Sequence, residues 1–234
     1  GVSDLVLPVE GSFAPGRGLA IGTRCTPVKF ASLKLSGLAL NAQAITLCPE
    51  GSAPILAYRD RLRLAARTGA LRLAGRIGES PATLAAGGLT LGYPQPFAVR
   101  NLAATIGTGN SEVRLAAESV TGTLSAAPTG RIAGGTARLA AVPFDLDAIT
   151  GMWSYTDGVL SVSEGAFVLS DRPAEGAAAR FVPLTARDAR LALADNRITA
   201  DALLLHPGSQ RGVVQVAIAH DLGSAQGSAR LPVP

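Results

Sequence analysis

The 234-residue chain contains two histidines, His206 and His220. So few imidazoles could build a metal centre only with carboxylates at ligand spacing beside them, and no such cluster occurs, so no metal or cofactor is expected. His206 precedes Pro207-Gly208 and His220 precedes Asp221. Each reads as a strand-end residue with a hydrogen-bonded structural role, a general base being the alternative. Asp145 and Asp147 form a close acidic pair that reads as capping or solvating a turn and not as a catalytic dyad. A serine nucleophile would call for Gly-x-Ser-x-Gly at a strand-to-helix turn, which the chain lacks. Gly16-Arg17-Gly18-Leu19-Ala20-Ile21-Gly22 approaches a dinucleotide loop. Its third glycine is one place late and it leads into a strand, so a turn is expected there. The chain is therefore expected not to be an enzyme.

Binding to nucleic acid is also disfavoured. The 21 basic and 17 acidic side chains leave a net charge of +4, and no run of Lys and Arg interleaves with aromatics. Cys25 and Cys48 lack a Cys-x-x-Cys or Cys/His zinc pattern. Two readings stay open at this point, a disulfide in an oxidising compartment or two unpaired core thiols.

The elements that must position these residues are strands. Hydrophobic residues make up 47% of the chain but aromatics only 4%, so apolar area is spread along Leu, Ala, Val and Ile and not gathered at large anchors. Leu33-Lys34-Leu35-Ser36, Arg61-Leu62-Arg63-Leu64, Leu71-Arg72-Leu73, Leu89-Thr90-Leu91, Leu160-Ser161-Val162-Ser163 and Val214-Gln215-Val216-Ala217-Ile218 alternate with period two. That period sets aliphatic residues on one face and polar ones on the other. Turn signals recur at Gly87-Gly88, Gly107-Thr108-Gly109-Asn110, Gly134-Gly135, Asp157-Gly158 and Asp195-Asn196, giving roughly sixteen strands by their spacing. Helix is expected at most as a turn or two over Phe144-Asp145-Leu146-Asp147-Ala148-Ile149, ended by Gly151. No composition break divides the chain, which reads as a single continuous segment over 1–234 with a seam near residues 142–151. Apolar runs such as residues 139–144 are far shorter than the roughly 18 residues of a membrane-spanning helix. The sequence reads as a piece of a larger protein whose membrane anchor lies outside it.

Gly151-Met152-Trp153-Ser154-Tyr155-Thr156-Asp157-Gly158, Phe167-Val168-Leu169-Ser170-Asp171, Phe181-Val182-Pro183-Leu184 and Ala186-Arg187-Asp188 together resemble the YdbH-like family, of the wider AsmA-like and TamB-like group of Gram-negative bacteria. So do Leu203-Leu204-Leu205-His206-Pro207, His220-Asp221-Leu222 and Gly227-Ser228-Ala229-Arg230-Leu231. The resemblance is carried by residues 151–234; before them it is one of strand rhythm and of the Cys25 to Cys48 region.

It implies an all-β, elongated, curled, mainly antiparallel sheet forming a hydrophobic groove of the β-taco type. It also implies a periplasmic location within an inner-membrane-anchored protein and a role in moving phospholipids between inner and outer membranes. The partners implied are phospholipid acyl chains, other segments of the same full-length protein and an outer-membrane lipoprotein. The periplasmic setting favours the disulfide reading of Cys25 and Cys48.

An open trough lined by aliphatic side chains suits acyl chains, because exposed apolar area of that kind marks a binding groove. The expected lining residues are Leu33, Leu35, Leu62, Leu64, Leu71, Leu73, Leu89, Leu91, Leu160, Val162, Phe167, Leu169, Leu191, Leu193, Val214, Val216 and Ile218. Trp153 and Tyr155 are expected to plug a groove end or pack at a seam. The competing reading is that the same residues close into the core of a sandwich. A right-handed β-helix or β-sandwich binding module of adhesin type is the alternative to a conduit, although four Asn and uneven strand spacing do not suit the polar ladders of a β-helix.

Overall fold

The computed structural model describes residues 1–35, 38–195, 197–209, 211–221 and 226–230. Ser36, Asn196, Leu222 and Leu231, all used above, lie outside the described residues, as do the side chains of Leu35, Ala229 and His220. Among the described residues are twenty-one strands, one 3-10 turn at Gly109–Ser111 and no α-helix. The alternating runs fold as the all-β reading requires. The strands outnumber the expectation because several long strand paths are each cut in two by a kink.

Two compact units form, Gly1–Gly109 with Ser119–Ser125, and Asn110–Glu118 with Ala126–Pro234. The first holds β1 (Val2–Ser3), β2 (Gly11–Ala14), β3 (Gly18–Ile21), β4 (Thr26–Phe30), β5 (Ser32–Leu35), β6 (Leu38–Leu40) and β7 (Gln43–Pro49). It continues with β8 (Leu56–Tyr58), β9 (Leu62–Thr68), β10 (Leu71–Ile77), β11 (Ser80–Ala86), β12 (Gly88–Tyr93) and β13 (Phe97–Ile106). Consecutive pairs act as one path with a break: β4 and β5 at Ala31, β6 and β7 at Asn41-Ala42, β9 and β10 at Gly69-Ala70, β11 and β12 at Gly87. Hence β5, β6, β10, β11 and the end of β13 pair in sequence on one side of the breaks. On the other side β4, β7, β9, β12 and the start of β13 do the same. β8 links β9 to β3, and β3 pairs with β2. The strand β14 (Val113–Gly122) divides between the two units.

The second unit is a meander of β15 (Thr129–Leu139), β16 (Phe144–Thr156), β17 (Val159–Asp171), β18 (Leu184–Ala194), β19 (Arg197–Leu205), β20 (Gly212–Asp221) and β21 (Gln226–Arg230), each antiparallel to the next. Gly134, Ala148, Glu164 and Asp188 interrupt β15 to β18 with φ of 60°, 51°, 51° and 52°. They lie at one level, since Gly135 faces Ile149, Thr150 faces Ala166 and Gly165 faces Ala189. A bulge bends its strand and increases its twist, so four in a row crease the sheet along a line. The crease is lined by buried glycines. A Cβ on Gly151 would sit 2.9 Å from Val162 Cγ1, and one on Gly165 would sit 2.7 Å from Ala189 O.

The bulges also decide which side chains share a face, because one extra residue inverts all that follow. Ala186 and Leu191 both face even-numbered residues of β19, Leu204 and Ala200, and β19 pairs with β20 without a shift over that stretch. Carried from strand to strand, the register puts Leu146, Phe167, Leu169 and Ala186 on the face that also holds Trp153, Tyr155, Leu160, Val162, Leu191 and Leu193.

Three sequence expectations are corrected here. Gly134-Gly135 is a bulge inside β15 and not a reversal. Gly87-Gly88 lies in the kink between β11 and β12, where Gly87 N donates to Arg100 O at 2.8 Å. Residues 144–149 open the strand β16, because Phe144 and Leu146 alternate with Asp145 and Asp147 and neighbours lie on both sides. Asp157-Gly158 is the hairpin turn expected, with φ of 52° and 83°, and Gly16 sits in the turn between β2 and β3.

Candidate functional site

The candidate site is the aliphatic face. Leu33 lies on β5, Leu62 and Leu64 on β9, Leu71 and Leu73 on β10, and Leu89 and Leu91 on β12. In the second unit Leu160, Val162, Phe167 and Leu169 lie on β17, Leu191 and Leu193 on β18, and Val214, Val216 and Ile218 on β20. Register brings many into direct apposition. Leu160 faces Leu193 and Val162 faces Leu191; Leu33 faces Leu40; Leu73 faces Leu84; Leu64 faces Leu56 and Tyr93.

None of these side chains is sealed. Leu62 and Ile218 are each 43% exposed and the others, Leu35 aside, are half-buried. No large side chain among the described residues falls below 2% exposure. The most closed cluster is Ala186, Ala202 and Leu204, against which Phe167, Leu169, Val214 and Val216 pack.

The total exposed area agrees. A compact protein of 23.7 kDa would expose about 9800 Å², and two separate compact bodies of half that mass about 11900 Å² together. This chain exposes 14653 Å². The chain therefore exposes more area than compact bodies of its mass would.

Polar chemistry gathers where β15 turns into β16. Asp145 accepts from Arg138 Nη2 at 2.7 Å and from Arg172 Nη1 at 3.0 Å. Arg172 also donates to Leu139 O at 2.7 Å, and Arg180 to Pro143 O at 3.0 Å and to the Asp171 carboxylate. The Arg180 guanidinium lies 5.3 Å from the centre of the Phe144 ring, which packs 5.9 Å from Phe181. Hydrogen bonds from the Arg180 side chain and backbone N–H hold the Asp171 carboxyl below its ordinary range, and the hydrogen bond to Asp145 raises Arg138. The turn-capping reading of Asp145 is thereby replaced: it is a clamp between two arginines. The connection from Arg172 to Pro183 is fastened to the β15–β16 turn. Sequence reasoning missed this clamp, and nothing in the spacing of Asp145, Arg172 and Arg180 announces it.

Cys25 and Cys48 form a disulfide, beside the Thr26–Leu47 pair that starts the β4–β7 ladder. His206 is exposed just after β19, its Nδ1 3.3 Å from Pro207 O. Among the described residues no group of three or more His, Cys, Asp or Glu could hold a metal ion, and no helix is long and apolar enough to cross a membrane.

The fold is that of an all-β protein built of antiparallel strands, and in each unit the aliphatic side chains of the alternating runs are half-buried. The chain belongs to the YdbH-like family, described as intermembrane phospholipid transport protein YdbH, whose model matches residues 4–234. The match also takes in residues 4–150, where the sequence alone offered strand rhythm and the Cys25 to Cys48 region. No curated protein and no solved structure matches the chain. Membership identifies an envelope lipid-transport protein, in keeping with the curled β-sheet.

Proposed function

We propose that the chain is a non-enzymatic length of a periplasmic conduit that shields phospholipid acyl chains on its aliphatic face as they pass between the inner and outer membranes. The observation that carries this reading is that the aligned Leu, Val and Ile residues are half-buried and not sealed. Each methylene taken from water gains about 0.8 kcal/mol. A lining that is mostly aliphatic shields a tail along its length, with Trp153, Tyr155 and Phe167 among the aromatic side chains on the same face in the second unit. The residues named from the sequence, Leu35 aside, line this face in each unit, and residues 1–234 form one segment of the conduit. Other segments of the same full-length protein, anchored in the inner membrane, extend the path, and an outer-membrane lipoprotein receives it.

Native mass spectrometry of the purified chain, followed by lipid extraction, tests the reading. Diacyl phospholipid retained at a defined stoichiometry supports it. Bound sugar with no lipid would support the adhesin-like alternative, and turnover of a chromogenic ester would reopen catalysis.

A further inference from the structure

In the first unit the path of β6 and β7 is zipped to the path of β9 and β10 only at its ends. Leu40 faces Gly75 and Leu38 faces Ile77, with Asn41 N donating to Ala74 O at 2.9 Å. Leu47 faces Thr68 and Pro49 faces Ala66. Between these anchors, residues 42–46 and 69–73 run side by side with no ladder pair among the described residues. Beside the gap lies a half-open pocket of about 300 Å³ lined by residues 43–46 and 69–73. Buried Thr68 fixes one corner: its hydroxyl donates to Gly69 O at 2.9 Å and accepts from Leu89 N at 3.2 Å, tying the break to β12.

The two sides of the gap differ in chemistry. Ile45 pairs with Val28, and Leu71 and Leu73 with Ala86 and Leu84, on the aliphatic face. On the opposite face Ala44 pairs with Lys29, and Arg72 with Ala85. Lys29 and Arg72 are exposed. Neither forms an ion pair among the described residues. The cationic bias belongs to this unit: residues 1–109 carry eleven Lys and Arg against five Asp and Glu, whereas 110–234 carry ten against twelve.

We propose that this gap is a lateral port for phospholipid, with acyl chains passing over Ile45, Leu71 and Leu73 to the aliphatic face while the headgroup phosphate is held by Arg72 and Lys29. Guanidinium and ammonium groups both recognise phosphate oxygens. The strand edges flanking the gap add backbone N–H groups that lack a ladder partner there. The inference rests on the conduit reading and deepens it by naming an entry and the headgroup chemistry it selects.

The test uses the full chain and vesicles of phosphatidylglycerol or of diacylglycerol in a neutral carrier, reading both the rate of lipid loading and the amount bound at saturation. Gly69 lines the pocket and an ideal Cβ there meets nothing within 4 Å, so Gly69→Trp adds bulk at the gap without a backbone clash at Cβ. Ala44→Trp repeats the block from the opposite edge should the first variant fold poorly, and Thr83→Trp controls for bulk. Blocking is expected to slow loading by about tenfold or more with the saturating amount unchanged. Arg72→Glu with Lys29→Glu is expected to slow phosphatidylglycerol by about tenfold at low salt, less at high salt, and diacylglycerol not at all. Inorganic phosphate should slow phosphatidylglycerol loading in the parent chain only.

Wild-type loading rates in both Trp variants would overturn the port while leaving the conduit standing. So would inorganic phosphate that binds at Arg72 with lipid loading indifferent to the block, since the site would then serve a free anion. A parent chain that takes up no lipid from either vesicle would overturn the conduit reading and the port with it.

Discussion

Replacing Leu160 and Ala186 in turn by Asp separates an open face from a closed core. Both residues lie on the same face of neighbouring strands, yet Ala186 is 0% exposed inside the Ala202–Leu204 cluster, while Leu160 is half-buried between Tyr155 and Leu193. Full burial of a leucine is worth about 1.5–3 kcal/mol, so losing a half-buried one costs about 1 kcal/mol. The new carboxylate at position 160 reaches water and adds little more. At position 186 it is enclosed without a partner, which costs several kcal/mol against a total stability of about 5–15 kcal/mol. Urea titration followed by circular dichroism should therefore show Leu160→Asp unfolding cooperatively with its midpoint lowered by about 0.5 M. Ala186→Asp should be unfolded or aggregated before any urea is added. Lipid content should fall in folded Leu160→Asp, because a charge now lies in the path of the tail. If Leu160→Asp collapses as Ala186→Asp does, the face is sealed and the reasoning fails.

Three further outcomes are expected. Gly165→Val drives a side chain into Ala189 O, 2.7 Å from the ideal Cβ, and should destabilise the second unit by about 1–3 kcal/mol in urea titration. Asp171 has its carboxyl lowered by Arg180, so the clamp's contribution is fully present above the ordinary Asp range of about 3.9 and is lost as pH falls through the lowered folded value. The protection of amides in the Arg172–Pro183 connection, relative to their intrinsic exchange rates, should thus fall only on strong acidification, and in Asp171→Asn it should already be low at neutral pH. Opening the Cys25–Cys48 bridge, which spans a sequence separation of 23, should cost about 3 kcal/mol by loop entropy. The intact chain should take up alkyl groups, read by mass, only after reduction.

Strand identity was legible where alternation was unbroken, as in Leu160-Ser161-Val162-Ser163 and Val214-Gln215-Val216, because period two has one structural meaning. The pairing of Cys25 with Cys48 was legible as one of two readings, and the structure closes it. The crease was not read, although its signal is in the sequence. Leu160 and Val162 are even-numbered whereas Phe167 and Leu169 are odd-numbered, and the same change of phase separates Ala186 from Leu191. Such a shift within an uninterrupted strand requires an extra residue, which Glu164 and Asp188 supply. Glycine gave the wrong answer at Gly134-Gly135 because positive φ serves reversals and bulges alike; only the alternation continuing beyond it, in Ala137, tells them apart. At residues 144–149 an acidic first turn suggested helix, while the alternation of Phe144 and Leu146 with Asp145 and Asp147 already spelled a strand. The gap between residues 42–46 and 69–73 depends on how two distant segments fail to pair, which no local pattern encodes.

Photocrosslinking at adjacent positions on opposite faces of one strand tests the central claim most directly. Benzophenone side chains placed at Val162, on the aliphatic face, and at Ser161, on the polar face, differ by one residue and one inversion. On irradiation of lipid-loaded protein, a phospholipid adduct is predicted at position 162 and none at 161. Equal adducts at both, or none at 162 in protein that carries lipid, would contradict the account.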